Sequence, residues 1–87
     1  MKVHNMVSAK GNKVANQFVI TDGISKEIFQ SYNTVIAIKD GGKVTLDRDS
    51  WDYSVTTGRY RNDFLGEGIA ETRKKIESGE YLLENLN

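Results

Sequence analysis

The run Thr34-Val35-Ile36-Ala37-Ile38, closed by Asp40-Gly41-Gly42-Lys43, constrains this chain more than any other stretch. It is rich in β-branched side chains and apolar on both parities, the pattern of a strand covered on both faces and hence of a sheet centre. The glycine pair between Asp40 and Lys43 supplies turn chemistry with free access to positive φ. Val44-Thr45-Leu46 is therefore expected to return as an antiparallel neighbour. No proline occurs anywhere to interrupt a ladder, which is compatible with several strands.

The flanking sequence extends the sheet in both directions. Lys13 to Thr21 reads as a strand, with Val14, Phe18 and Ile20 on one parity and Val19 on the other. Asp22-Gly23 turns the chain, and Ile28 to Tyr32 forms the next strand. Residues 1–12 lack a sustained period: Val3 and Met6 suggest an edge strand, Ser8 to Asn12 a turn, and the segment is expected to be loose. After Leu46, Asp47-Arg48-Asp49-Ser50 reads as a solvated turn. A short helix follows from Ser54 or Thr57, either hydroxyl serving as N-cap, with Tyr60 and Phe64 on one face and Gly66 as a left-handed stop. Gly58 weakens that helix unless it permits close packing. A second helix spans Glu67 to Ser78, with a thin inner stripe of Ile69, Thr72 and Ile76, a Glu71–Lys75 pair and Gly79 at its end. Tyr81 to Leu86 closes the chain as a strand. The fold class is therefore α+β: one domain, residues 1–87, with a mainly antiparallel sheet of about four to five strands and two short helices packed on one face.

Composition removes several function classes. The chain contains no cysteine, which excludes a disulfide framework, a zinc ribbon and a thiol nucleophile. Twelve basic residues balance twelve acidic ones, so binding driven by bulk charge, whether by a polybasic nucleic-acid binder or an acidic mimic, is not expected. No apolar run approaches the roughly 18 residues of a membrane span, and no signal-like stretch opens the chain, so a cytoplasmic protein is expected.

Catalytic and metal signatures are equally thin. The single histidine, His4, stands apart from any nucleophile arrangement and reads as a surface residue. Asp47 and Asp49 lack the further oxygen ligands, the glycine and the closing glutamate of a calcium loop. Gly41-Gly42 lacks the rest of a phosphate-binding loop. No metal, cofactor or catalytic residue is expected, and the chain reads as non-enzymatic.

Chemistry concentrates instead between Trp51 and Gly66, which hold the only Trp, Tyr53, Tyr60, Phe64, Arg59, Arg61 and several hydroxyls. One reading makes Trp51, Tyr53, Tyr60 and Phe64 core aromatics, with Arg59 and Arg61 turned to water. The other exposes a binding patch of Tyr53, Ser54, Thr56, Thr57, Arg59, Tyr60 and Arg61, suited to a protein hot spot or to stacking of single-stranded nucleic acid or a nucleotide. Spaced two apart on a helix, Arg59 and Arg61 cannot share a face, so one arginine at most meets a ligand.

Asn16-Gln17-Phe18, Phe29-Gln30-Ser31-Tyr32, Trp51-Asp52-Tyr53-Ser54, Thr56-Thr57, Tyr60-Arg61, Phe64-Leu65-Gly66, Gly79-Glu80-Tyr81 and Asn85-Leu86-Asn87 form a pattern covering nearly the whole chain. That pattern resembles a family of short proteins of unknown function encoded by bacteriophages, plasmids and other mobile elements. The resemblance brings no catalytic residues. It implies a small accessory protein of a mobile element, acting in the cytoplasm of a bacterial host. Such a protein is expected to bind a host protein or ribonucleoprotein, as anti-defence inhibitors of the anti-CRISPR kind do.

Overall fold

The computed structural model describes residues Met1–Asn87. Its elements run β1 (Lys2–Val7), β2 (Lys13–Thr21), β3 (Lys26–Ser31), β4 (Thr34–Asp40), β5 (Lys43–Asp47), α1 (Val55–Leu65), α2 (Ile69–Ser78) and β6 (Tyr81–Glu84). The strands lie side by side in chain order as one six-stranded sheet. The first four pairings are antiparallel. β6 then pairs parallel to β5, because the two helices carry the chain back to the end of the sheet from which β5 started.

The α+β class and mainly antiparallel sheet agree with expectation, but the strand number does not. The edge strand suggested by Val3 and Met6 is present, so residues 1–12 are not loose as a whole: Lys2 to Val7 pairs with β2 over most of its length, Lys2 opposite Thr21 and Asn5 opposite Phe18. An irregularity in β2 interrupts the pairing. Four residues, Val14 to Gln17, fit between partners that are separated on β1 only by Met6. Asn16 absorbs the excess at φ 67°, a conformation asparagine tolerates better than most residues. Its carbonyl accepts the Tyr32 N–H at 2.7 Å, and the Asn5 side chain donates to the Val14 carbonyl at 3.0 Å.

Registration assigns the faces. Val19, Phe29, Ala37 and Leu46 stand opposite one another in successive pairs, so they share one face, and all are buried. Between β3 and β4 the register slips, leaving Ile36 as an extra residue. Both Ile36 and Ala37 are fully buried, as expected where a bulge lets two neighbours turn to the same side. The helices lie over this face. Phe64 of α1 packs on Phe29 with ring centroids 5.8 Å apart, and Ile76 of α2 joins the same cluster beside Tyr81. Phe18, Ile20, Ile28 and Ile38 occupy the opposite parity, half-buried and outside the core cluster. The expectation that β4 is covered on both sides is thus met on one side only.

The turn after β5 departs from expectation. Asp47 is not solvated but nearly fully buried, and its carboxylate accepts the Leu86 N–H at 2.9 Å. The chain after β6 then supplies Asn87, whose side-chain amide accepts from the Val35 N–H at 2.8 Å and donates to the Val35 carbonyl at 3.0 Å. A side chain thereby completes the edge of β4 beyond the end of β5.

Phe29 stands fully buried in the middle of the core. Phe29→Ala is expected to cost about 3–5 kcal/mol, read as a lowered midpoint of urea unfolding with an unchanged slope. A loss below about 1 kcal/mol would show that the helical layer is not packed on this ring.

Candidate functional site

α1 begins where a serine can satisfy its first free N–H groups. Ser54 is extended, its Oγ accepts the Thr57 N–H at 3.1 Å and its carbonyl accepts the Gly58 N–H at 2.9 Å. Thr57, one turn in, is buried, and its hydroxyl meets that of Ser31 on β3 at 3.0 Å. At the far end Gly66 takes φ 72° and its N–H returns to the Asn62 carbonyl. Lys39 of β4 donates to the Phe64 carbonyl at 2.8 Å and lies 4.3 Å from the Phe64 ring centroid. A cation from the sheet thus serves a helix terminus that has no basic residue of its own in its last turn.

The seven candidate residues divide into a buried half and an exposed half. Tyr60 and Thr57 belong to the interior. Arg61, expected to face water if the aromatics formed the core, is 1% exposed. One terminal nitrogen donates to the Trp51 carbonyl at 2.6 Å and approaches an Asp52 oxygen at 3.4 Å; the other donates to the Asn62 side chain at 3.0 Å. The guanidinium carbon lies 5.3 Å from the Trp51 ring centroid, and Arg73 of α2 approaches the same ring at 5.7 Å. Arg73 also holds the second Asp52 oxygen at 2.9 Å. Arg61 is therefore a clamp between the β5–α1 connection and the helix, unavailable to a ligand. Its Nε has no partner, a cost tolerated because its other polar nitrogens are engaged.

Tyr53, Ser54, Thr56 and Arg59 remain at the surface. Tyr53 is 52% exposed and Val55, beside it at the helix entrance, 86%. They border a shallow open groove also lined by Asp52, Gly58 and Asp63. Sequence reasoning missed Val55, and it missed Tyr32. Tyr32 sits at φ 55° in the β3–β4 turn, a conformation that costs a bulky residue energy, and it is 55% exposed. The Ser31–Thr57 bond ties that turn to the first turn of α1, which places Tyr32 at the same end of the molecule. The two-residue gap between β3 and β4 was the available signal, with Asn33 its turn former.

A second polar cluster fixes α2. The Glu67 carboxylate receives Thr72 Oγ1 at 2.6 Å, Lys75 Nζ at 2.7 Å and the Tyr81 hydroxyl at 2.8 Å. Lys75 thus pairs with Glu67 rather than with Glu71 as its spacing suggested. Burial pushes the Glu67 carboxyl up, but the three donors and the Lys75 charge outweigh burial and hold it below its usual range. Asp47 follows the same pattern: burial opposes ionisation, while the Leu86 N–H and the Ser50 and Asn87 side chains favour it more strongly. Both carboxylates are explained by structure, and no group of three or more His, Asp or Glu is arranged to hold a metal.

The sequence profile of a family of unknown function (DUF8033) matches residues 1–80. No curated protein and no solved structure matches the chain at a significant level. No helix is long and apolar enough to cross a membrane.

Two outcomes test this geometry. A Cβ on Gly58 would rest 3.6 Å from an Arg61 terminal nitrogen, ordinary contact at a helical φ. Gly58→Ala should therefore stabilise by up to about 1 kcal/mol, whereas Arg61→Ala should destabilise by about 2–4 kcal/mol by leaving buried acceptors unpaired. Thermal unfolding of both variants reads the contrast, and a destabilising Gly58→Ala would contradict the packing described. Because the native state holds Glu67 below its unfolded value, its contribution is complete above the ordinary carboxylate range near pH 4–5 and is lost as pH falls through the native value. Glu67→Gln is accordingly expected to be less stable at pH 7 and to lose stability less steeply between about pH 5 and 3. Parallel pH profiles for the variant and the parent protein would contradict that role.

Proposed function

We propose that this chain, which belongs to the DUF8033 family of unknown function, is a small non-enzymatic module that binds another protein through the end of the molecule built by α1 and the β3–β4 turn. The observation that carries this reading is the exposure of Tyr53 and Val55 beside Arg59, with exposed Tyr32 in the turn that the Ser31–Thr57 bond ties to α1. Their backbone is fixed by the Ser54 cap, the Ser31–Thr57 bond and the Arg61 clamp. Tyrosine and arginine dominate binding hot spots because they bring large contact area at modest entropic cost, and a pre-ordered backbone lowers that cost further.

Single-stranded nucleic acid is the weaker alternative. Tyr60 and Arg61, contact residues in both readings, are buried, which leaves this one with Tyr53 for stacking and Arg59 for phosphate at this site. Arg59 shares its groove with Asp63, which opposes a polyanion, while the Asp52 charge there is already met by Arg61 and Arg73. The wider setting, an accessory protein of a mobile element acting on a protein or ribonucleoprotein of a bacterial host, possessing anti-defence activity of the anti-CRISPR kind, rests on the resemblance of the residue pattern.

Affinity capture from nuclease-treated bacterial lysate, with the Tyr53→Ala, Arg59→Ala double variant in parallel, tests the reading. The parent protein should retain a host component in stoichiometric amount and the variant should lose it by at least about tenfold. Equal capture by both, or capture that disappears only with nuclease, would overturn it.

A further inference from the structure

Helices cover only one face of the sheet. On the other, Phe18, Ile20, Ile28, Val35 and Ile38 stand in register across β2, β3 and β4, and Leu82 of β6 extends the row through Thr45. None of them belongs to the core cluster or packs against it. β4 is thus apolar on both parities in a molecule that buries one parity. The internal core is small for the chain, with eight buried hydrophobic residues and no cysteine for a staple. Association through this face would add apolar burial that the internal core does not supply.

We infer that the uncovered face binds a second copy of this chain, forming a two-layer sandwich of two six-stranded sheets. Three observations select the occupant. The first is area: five strand spacings and central strands of six to nine residues give a face of roughly 24 by 20 Å. Two such faces meeting about 10 Å apart bury on the order of 1,000 Å², the threshold of a specific interface. The second is net charge, which is zero, so identical copies do not repel.

The third is a charge row at one end of the face. Lys26, Asp40 and Lys43 are paired across β3, β4 and β5, and Asp22 follows β2 with its N–H on the Lys26 carbonyl. The strand alternation places Lys26, Asp40 and Lys43 on the uncovered side, and Asp22, one residue past β2, ends the row with one carboxylate oxygen bonded to the Ile24, Ser25 and Lys26 N–H groups, so the signs alternate from β2 to β5. A twofold axis running along the strands between β3 and β4 reverses that order in the partner. Lys43 then faces Asp22, and Asp40 faces Lys26, with every contact between opposite charges. The same axis sets Ile28 against Ile38 at the centre. An axis across the strands would carry the two rows to opposite ends, so the charges choose the orientation.

This interface is separate from the Tyr53–Arg59 end and does not depend on it. Sedimentation equilibrium over a dilution series tests it, the monomer being 9.8 kDa. The parent protein should dimerise in the micromolar range, and Ile28→Lys or Ile38→Lys should weaken dimerisation by at least about tenfold while retaining the circular-dichroism spectrum. Asp40→Lys alone should weaken it by about three- to tenfold. Adding Lys26→Asp to Asp40→Lys should restore it, since the exchanged row again meets its reverse with opposite charges throughout. That restoration decides the matter even if the isoleucine variants fail to fold. A parent protein that stays monomeric at high micromolar concentration would overturn the inference. So would a dimer in which the charge exchange fails to rescue Asp40→Lys.

Discussion

Attachment of the helical layer depends on polar groups as much as on apolar burial, because α1 and α2 bring little apolar surface to the sheet. Their inward contribution is Tyr60, Phe64, Leu65 and Ile76, too few to hold two short helices by area alone. Buried hydrogen bonds make up the difference. Thr57 fixes the start of α1 to Ser31, Lys39 fixes its end to β4, and Glu67 binds the α1–α2 connection to Lys75 and Tyr81. Lifting the layer would exchange these bonds for bonds to water, so each contributes about 0.5–1.5 kcal/mol net, more where a charged group takes part, whereas deleting one partner alone would cost more because the other would stay buried.

That mode of attachment explains why the segment from Trp51 to Ser54 is ordered although Tyr53 and its neighbours lie at the surface. Arg61 reaches from the second turn of α1 back to the Trp51 carbonyl, and Asp52 is shared between Arg61 and Arg73. The indole lies near both guanidinium groups. An aromatic, an aspartate and two arginines from two helices therefore form one tie, and the residues outside it inherit a fixed backbone. What looked in sequence like a single cluster of binding chemistry separates into a buried frame and an exposed rim. The frame makes the rim's geometry reproducible, which is a requirement for tight recognition.

Periodicity made the hairpins legible. β2 and the β4–β5 pair appear within a residue or two of where alternation and turn chemistry place them, as do both helices with their Ser54, Gly66 and Gly79 caps. The edge strand at Val3 and Met6 was legible but its extent and register were not, because β2 carries surplus residues around Asn16 and the pairing of the two strands is interrupted there. Burial of Arg61 was not legible either. A guanidinium on a helix reads as solvated until the indole and carbonyl of Trp51, the carboxylate of Asp52 and the amide of Asn62 are brought around it. Asp47 was misread for the same reason: the donor that satisfies it is Leu86, distant in sequence and adjacent only because β6 pairs parallel to β5. Local pattern finds elements; it does not find polar partners brought together by topology.

The pattern of β4 carries the remaining argument. A strand apolar on both parities was read as covered on both sides, and the fold covers one. Strand alternation is set by what each face contacts, so isoleucines at 20, 28 and 38 on a face meant for water alone would give up stabilisation that polar residues would not lose. Thr45 and Asn5 interrupt the row toward its margins, and Gln30 is a polar residue within it, between Phe18 and Val35, so the patch has an apolar cluster around Ile20, Ile28 and Ile38 with polar residues about it. The charges at its end alternate in sign as cross-strand pairing within one sheet favours, and that same order is what lets a reversed copy meet it with opposite charges. Contact between like surfaces accounts for the isoleucines and their boundary with a single cause.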